Sequence, residues 1–214
     1  MCALCGYRGT RESLRLVRDE IRRRRRIFHF VSVGKDGFMV LVKLVMSVAS
    51  ASFFMFANAL FSCGIGLARY VALKMQGKET AEQLRLYRWV SAILSFSGLC
   101  YAGYSVRLFF GGSAGQYSEV MALAIAAYTF VEFGIQIHDL IKLRKQHDLE
   151  AEALRLVSLC GILVSFVLTQ TAIMSFSEQA EHNFSDGLAG VVFGGLVVLV
   201  GAVSLFIHRK SITK

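Results

Sequence analysis

The chain has 214 residues, of which 55% are hydrophobic and only 18% are charged, and its mean hydropathy is +0.52 with a formal net charge of +9. This composition is too apolar for an ordinary soluble globular domain. The apolar residues are grouped in runs long enough to cross a hydrocarbon core of roughly 30 Å. The sequence therefore predicts an all-α fold, a polytopic membrane bundle of five or six transmembrane helices built from outward-pointing hairpins.

A basic segment precedes the first apolar run and includes the consecutive arginines Arg22, Arg23, Arg24, Arg25 and Arg26. Leu14, Val17 and Ile21 recur at helical spacing between basic residues, which predicts an amphipathic helix on an anionic membrane surface. We predict that residues 1–30 form a cytoplasmic arm whose arginine cluster binds anionic lipid, and that residues 31–214 form the transmembrane bundle. Membrane anchoring accounts for the positive charge, so no nucleic-acid partner is predicted.

The first apolar run, residues 38–74, permits two arrangements. Basic residues flank it on both sides, and the positive-inside rule places both flanks in the cytoplasm. Two helices of minimum length that turn near Asn58 satisfy this rule and give a bundle of six helices. A single crossing gives five helices, but it requires the arginine cluster to be translocated.

Four further apolar runs follow, at residues 89–110, 120–141, 154–176 and 188–207. The connections 111–119 and 177–187 contain no lysine or arginine, whereas the connection 142–155 and the C-terminal residues are basic. The positive-inside rule therefore predicts a cytoplasmic C-terminus. The first two of these runs form one predicted hairpin pointing outward, and the last two form another.

The second of these four runs carries polar residues on one helical face. Thr129, Glu132, Gln136 and Asp139 follow one another at intervals of three or four residues, so they lie on the same side of a helix. An ionised carboxylate inside a bilayer costs about 3 kcal/mol even on permissive insertion scales. Glu132 therefore has to be protonated, paired with a cation or exposed to a hydrated cavity. Lys43 lies at a similar predicted depth and is the expected cationic partner.

These residues favour a small transporter or ion-conducting protein with a polar path through the bundle. The predicted path is lined by Thr129, Glu132, Gln136, Asp139, Lys43 and Gln170. The sequence also permits a structural interpretation, in which hydroxyl groups join helices by hydrogen bonds and Glu132 is one half of a buried pair.

Two other classes of function remain. Gly190 and Gly194 form a small-residue face that permits close helix packing within the bundle, or with a membrane partner or a second copy of the chain. The protein could then be a non-catalytic assembly subunit or regulator. An intramembrane enzyme using Glu132, His138 and Asp139 is the third class. The sequence contains no common hydrolase or nucleotide-binding motif, and it predicts neither a cofactor nor a metal site.

Overall fold

The computed structural model describes residues 33–48, 53–110, 119–144, 148–174 and 179–210. The chain divides into two units, Met1–Lys35 and Asp36–Lys214, and the second unit contains the helical bundle. The predicted arm at residues 1–30, with its arginine cluster, lies outside the described residues.

The described part of the chain is all-α, as predicted. Its helices are α1 (residues 33–48), α2 (Phe53–Leu73), α3 (Thr80–Phe109), α4 (Glu119–Leu143), α5 (Leu149–Met174) and α6 (Gln179–Lys210). This matches the arrangement of six helices, because the first apolar run contributes two of them. Gly77, whose φ of 72° lies in the left-handed region, follows the end of α2 and lets the chain turn towards α3.

Two predicted boundaries are wrong. The turn expected near Asn58 does not occur there, because α1 ends at residue 48 and Asn58 lies inside α2 with its side chain fully buried. A polar residue in an apolar run marks either a turn or a face directed at the bundle interior, and Asn58 is the second case. The connection expected at 177–187 is also largely helical, since α6 begins at Gln179 and buries Asp186 completely.

Consecutive helices alternate in direction. Asp36 contacts Arg69 and Lys43 contacts Ser62, so α1 and α2 are antiparallel. Side-chain contacts show the same reversal between α2 and α3, α3 and α6, α6 and α5, and α5 and α4. The end of α2, the start of α3, the end of α4 and the start of α5 therefore lie at one end of the bundle. Basic residues at that end are Lys74, Lys78, Arg85, Lys142, Arg144 and Arg155.

Helices that are neighbours in sequence are not always the closest neighbours in the bundle. α3 packs mainly along α6 and α2, while α4 packs along α5. Glycines permit the close approach of α3 and α6. A Cβ atom added to Gly98 would lie 2.9 Å from Val197 Cγ1, and one added to Gly194 would lie 3.0 Å from Ala102 Cβ. Gly190 and Gly194 thus face α3 of the same chain, so packing within the bundle accounts for them, and an interface with a second copy stays a prediction.

The helices present an apolar surface typical of a membrane protein. Within the described ranges, the helices long and apolar enough to cross a membrane are Phe54–Leu73, Thr80–Arg107, Leu149–Met174 and Phe184–Phe206. Neither α1, which has 16 residues, nor α4, which carries the polar face, is among them. Soluble proteins rarely leave many large apolar side chains exposed, and here they include Leu41, Leu60, Phe96, Phe130, Phe166 and Leu199. The chain is therefore an integral membrane protein.

Candidate functional site

The polar residues of α4 point into the bundle. Thr129 is fully buried, and Glu132 and Gln136 are only 4% and 5% exposed. Asp139, one turn further on, keeps 17% of its side chain exposed at the basic end of the bundle. We call Thr129, Glu132, Gln136 and Asp139 the α4 column. It extends about 15 Å along the helix axis, which is half the thickness of a hydrocarbon core.

Lys43 of α1 forms a buried ion pair with Glu132, so the expected pairing of these two residues is confirmed. The Lys43 ammonium donates to Glu132 Oε1 at 3.0 Å and lies 2.9 Å from Glu132 Oε2. It also donates to Ser62 Oγ on α2 at 2.7 Å. The ammonium therefore makes two hydrogen bonds, to Glu132 Oε1 and Ser62 Oγ, and lies within ion-pair distance of both carboxylate oxygens of Glu132. Ser62 was not predicted, because a lone serine in an apolar run is common in membrane helices.

A second set of ion pairs lies closer to the basic end of the bundle. Arg69 Nε lies 2.9 Å from Asp36 Oδ2, and another guanidinium nitrogen of Arg69 lies 3.0 Å from Asp139 Oδ2. Arg69 is only 4% exposed. We call Asp36, Arg69 and Asp139 the charged triad. It joins α1, α2 and α4 through a single guanidinium, whose fork of donors can engage two carboxylates at once.

Two members of the triad were not predicted as site residues. Arg69 was not identified as a site residue, yet it lies inside α2 and is buried. Asp36 was not identified at all. Asp36 and Lys43 are seven residues apart, which is close to two helical turns, and this spacing is the signal that could have placed both on one interior face.

A cavity of about 20 Å³ lies beside the Lys43–Glu132 pair and is also lined by Asp36 of the charged triad. Its polar lining includes Asp36, Lys43, Glu132, Gln136, Ser62 and Ser165. Gln136 Oε1 is buried and has no hydrogen-bond partner in the part of the chain that the structure describes. The Gln136 side chain also lies against Gly161 of α5, where a Cβ atom would collide with it. The cavity therefore contains a buried carbonyl group that can accept a hydrogen bond.

Hydroxyl groups continue the column beyond Glu132. Thr169 Oγ1 on α5 lies 3.2 Å from Thr129 Oγ1, and each threonine also donates to a carbonyl of its own helix. Gln170, which was predicted to line the same path, is not brought to the cavity. Its amide instead donates to Ser185 Oγ on α6 at 3.2 Å. His138 is also outside the column, because its side chain is 76% exposed.

The Lys43–Glu132 pair and the charged triad bring five ionisable side chains together, three acidic and two basic. Together they join α1, α2 and α4. Within the described ranges, no group of three or more His, Cys, Asp or Glu side chains could hold a metal ion.

No family model matches the sequence, and no curated protein matches it either.

Proposed function

We propose that the protein transports protons or a small monovalent cation across the membrane, with Glu132 as the residue that takes up and releases the positive charge. The observation that carries the proposal is the Lys43–Glu132 ion pair, which is buried inside the bundle beside a cavity with a polar lining. Ionisable groups inside a membrane are expensive, and those that are retained usually mark an ion pathway or a proton relay. Apolar side chains of similar volume can replace a buried ion pair without loss of stability, so stability alone does not require these charges.

The route that we propose begins at Asp139, whose partial exposure gives it access to water at the basic end of the bundle. From there the charged triad leads to the cavity beside Gln136. The cavity volume of about 20 Å³ exceeds the roughly 10–15 Å³ that one water molecule needs. A water bound to the Gln136 carbonyl would connect the charged triad to Glu132. Thr129 and Thr169 then extend the route towards the opposite end.

In this proposal, the uptake of a positive charge by Glu132 changes how strongly Lys43 holds α1 to α4. While Glu132 is ionised, it holds the Lys43 ammonium together with Ser62. A proton on Glu132 removes the opposite charge and weakens that hold, because the attraction between the two groups depends on both being ionised. α1 is then less strongly attached to α4, and such loosening is the kind of local change that alternating access requires.

A flux assay in reconstituted vesicles tests the proposal. Vesicles containing a trapped pH-sensitive dye are given a potassium diffusion potential, and proton entry is followed by the fluorescence of the dye. Sodium and potassium entry are followed in separate vesicles that contain a dye responding to each of these ions. We expect the wild-type protein to conduct at least one of these cations above the rate of empty vesicles. The variant carrying both Lys43→Met and Glu132→Gln should lose at least nine-tenths of this flux, because it has no titratable group at the pair.

The matched control is Glu82→Gln. Glu82 also pairs with a lysine, Lys78, at 2.9 Å, but both side chains are about half exposed. The same chemical change at this surface pair should leave the flux unchanged. Absence of flux for all three cations with folded wild-type protein would refute the transport proposal. A non-catalytic assembly subunit would then be the better assignment.

A further inference from the structure

A long apolar groove lies between α2 and α3 on the surface of the bundle. It has a volume of about 810 Å³. Its walls are formed by large side chains such as Leu60 and Leu67 of α2 and Trp89 and Phe96 of α3. The two helices approach each other closely at the base of the groove, because Gly64 of α2 leaves space for a serine of α3.

The groove has a charged residue at one end only. Tyr104 and Arg107 line the end that is remote from the basic end of the bundle, whereas Trp89 lines the other end. The distance along α3 from Trp89 to Arg107 is about 27 Å at 1.5 Å per residue, which is close to the thickness of a hydrocarbon core. Arg107 therefore lies at the depth of lipid headgroups, and the apolar part of the groove lies at the depth of acyl chains.

We propose that this groove is a binding site for an anionic phospholipid. The Arg107 guanidinium binds the lipid phosphate, since its fork of N–H donors matches phosphate oxygens, and the Tyr104 hydroxyl is placed to donate to the same headgroup. An acyl chain then follows the groove towards the middle of the membrane. Cys100 lies two helical turns from Arg107 on the same face and lines the groove, as does Phe96 further along.

The volume of the groove favours an acyl chain over a partner helix. A helix about 10 Å in diameter and about 27 Å long displaces roughly 2,000 Å³. The groove offers about 810 Å³, so it could enclose less than half of such a helix. A flexible acyl chain can follow the narrow base beside Gly64, which a helix cannot enter. The site should prefer an anionic headgroup over a zwitterionic one because of charge. In an anionic phospholipid no cationic group of the headgroup competes with Arg107 for the phosphate.

Fluorescence quenching by brominated lipids tests this proposal without reference to transport. Trp89 is the only tryptophan of the chain, so a reporter protein with Trp89→Phe and Phe96→Trp has a single indole in the middle of the groove. It is placed in phosphatidylcholine bilayers with increasing fractions of brominated phosphatidylglycerol or brominated phosphatidylcholine. We expect half-maximal quenching at a mole fraction at least threefold lower for the anionic lipid.

Two arginine variants of the reporter protein separate a site from general surface charge. Arg107→Gln should remove the difference between the two lipids. Arg85→Gln, an exposed arginine on the same helix but outside the groove, should preserve it. Equal quenching by both lipids in the reporter protein would overturn the proposal, as would equal loss of the preference in both arginine variants. Absence of quenching by either lipid would show that protein covers the groove, which also overturns it.

Discussion

Replacing Glu132 by glutamine changes the charge of the pair with Lys43 while preserving nearly the same shape. In the wild-type protein the Lys43 ammonium is surrounded by two carboxylate oxygens and Ser62 Oγ, all within 3.0 Å. Glutamine provides only one acceptor in place of two, and its amide nitrogen is a further donor. The variant therefore leaves a buried ammonium with one nearby oxygen fewer and no opposite charge.

The expected cost follows from the burial of both groups. Lys43 and Glu132 side chains are 2% and 6% exposed, so bulk solvent does not reach the pair to replace the lost interactions. Removing one partner of such a pair typically lowers the free energy of unfolding by about 3–5 kcal/mol. Adding Lys43→Met removes the unpaired ammonium, and the double variant should recover most of that loss. The coupling energy between the two sites should then exceed about 3 kcal/mol, which is the upper end of the usual range for residues in contact.

The variants are purified in a mild detergent and unfolded by adding increasing amounts of a denaturing detergent. Circular dichroism follows the loss of helix and gives the free energy of unfolding of the two single variants and the double variant. Glu82→Gln again serves as the control, because an exposed ion pair contributes about 0–1 kcal/mol. The reasoning fails if Glu132→Gln costs less than the control, or if the effects of the two single changes simply add.

The other expected outcomes concern the neighbouring residues and the topology. Arg69→Gln should lower the free energy of unfolding by about 3–5 kcal/mol, because both carboxylates of the charged triad lose their counterion; a loss below about 1 kcal/mol would contradict its burial. Gly161→Ala should cost about 1–3 kcal/mol in the same assay, since its new methyl group meets the Gln136 side chain. Gly134→Ala meets no atom within 4 Å and should be neutral or stabilising, so equal losses at both glycines would refute the steric argument. A cysteine introduced at Lys78 into a cysteine-free chain should be labelled only from the cytoplasmic side, and external labelling would invert the predicted orientation.

The interior face of α4 could be predicted from sequence because few alternatives exist for charge inside a membrane. An ionised side chain in an apolar helix has to be paired or hydrated, so Glu132 required a partner and Lys43 was the cation at a suitable depth. Helical periodicity then placed Gln136 on the same side. The free-energy cost of a buried charge and the helical spacing of residues can both be evaluated from the local sequence, without the tertiary fold.

The charged triad was harder to predict because its residues lie near helix ends. A charge at such a position can reach the aqueous interface, so the sequence does not distinguish a solvated residue from a buried one. Arg69 is buried where carboxylates from α1 and α4, those of Asp36 and Asp139, meet its guanidinium. The turn predicted near Asn58 failed for a related reason: an asparagine is compatible with a turn and with an enclosed helix face, and packing decides between them.

The distribution of charge between α1 and α4 has a consequence for biosynthesis. These are the two helices of the described chain that do not qualify as independent membrane spans, and they carry opposite members of one ion pair. α1 emerges from the ribosome before its counterion on α4 exists. α2, which follows immediately, can neutralise Asp36 through Arg69, but Lys43 has to wait until Glu132 has been synthesised. We therefore expect the order of assembly to differ from the order of synthesis: α2 and α3 should enter the bilayer first, and α1 should complete its insertion only when α4 arrives.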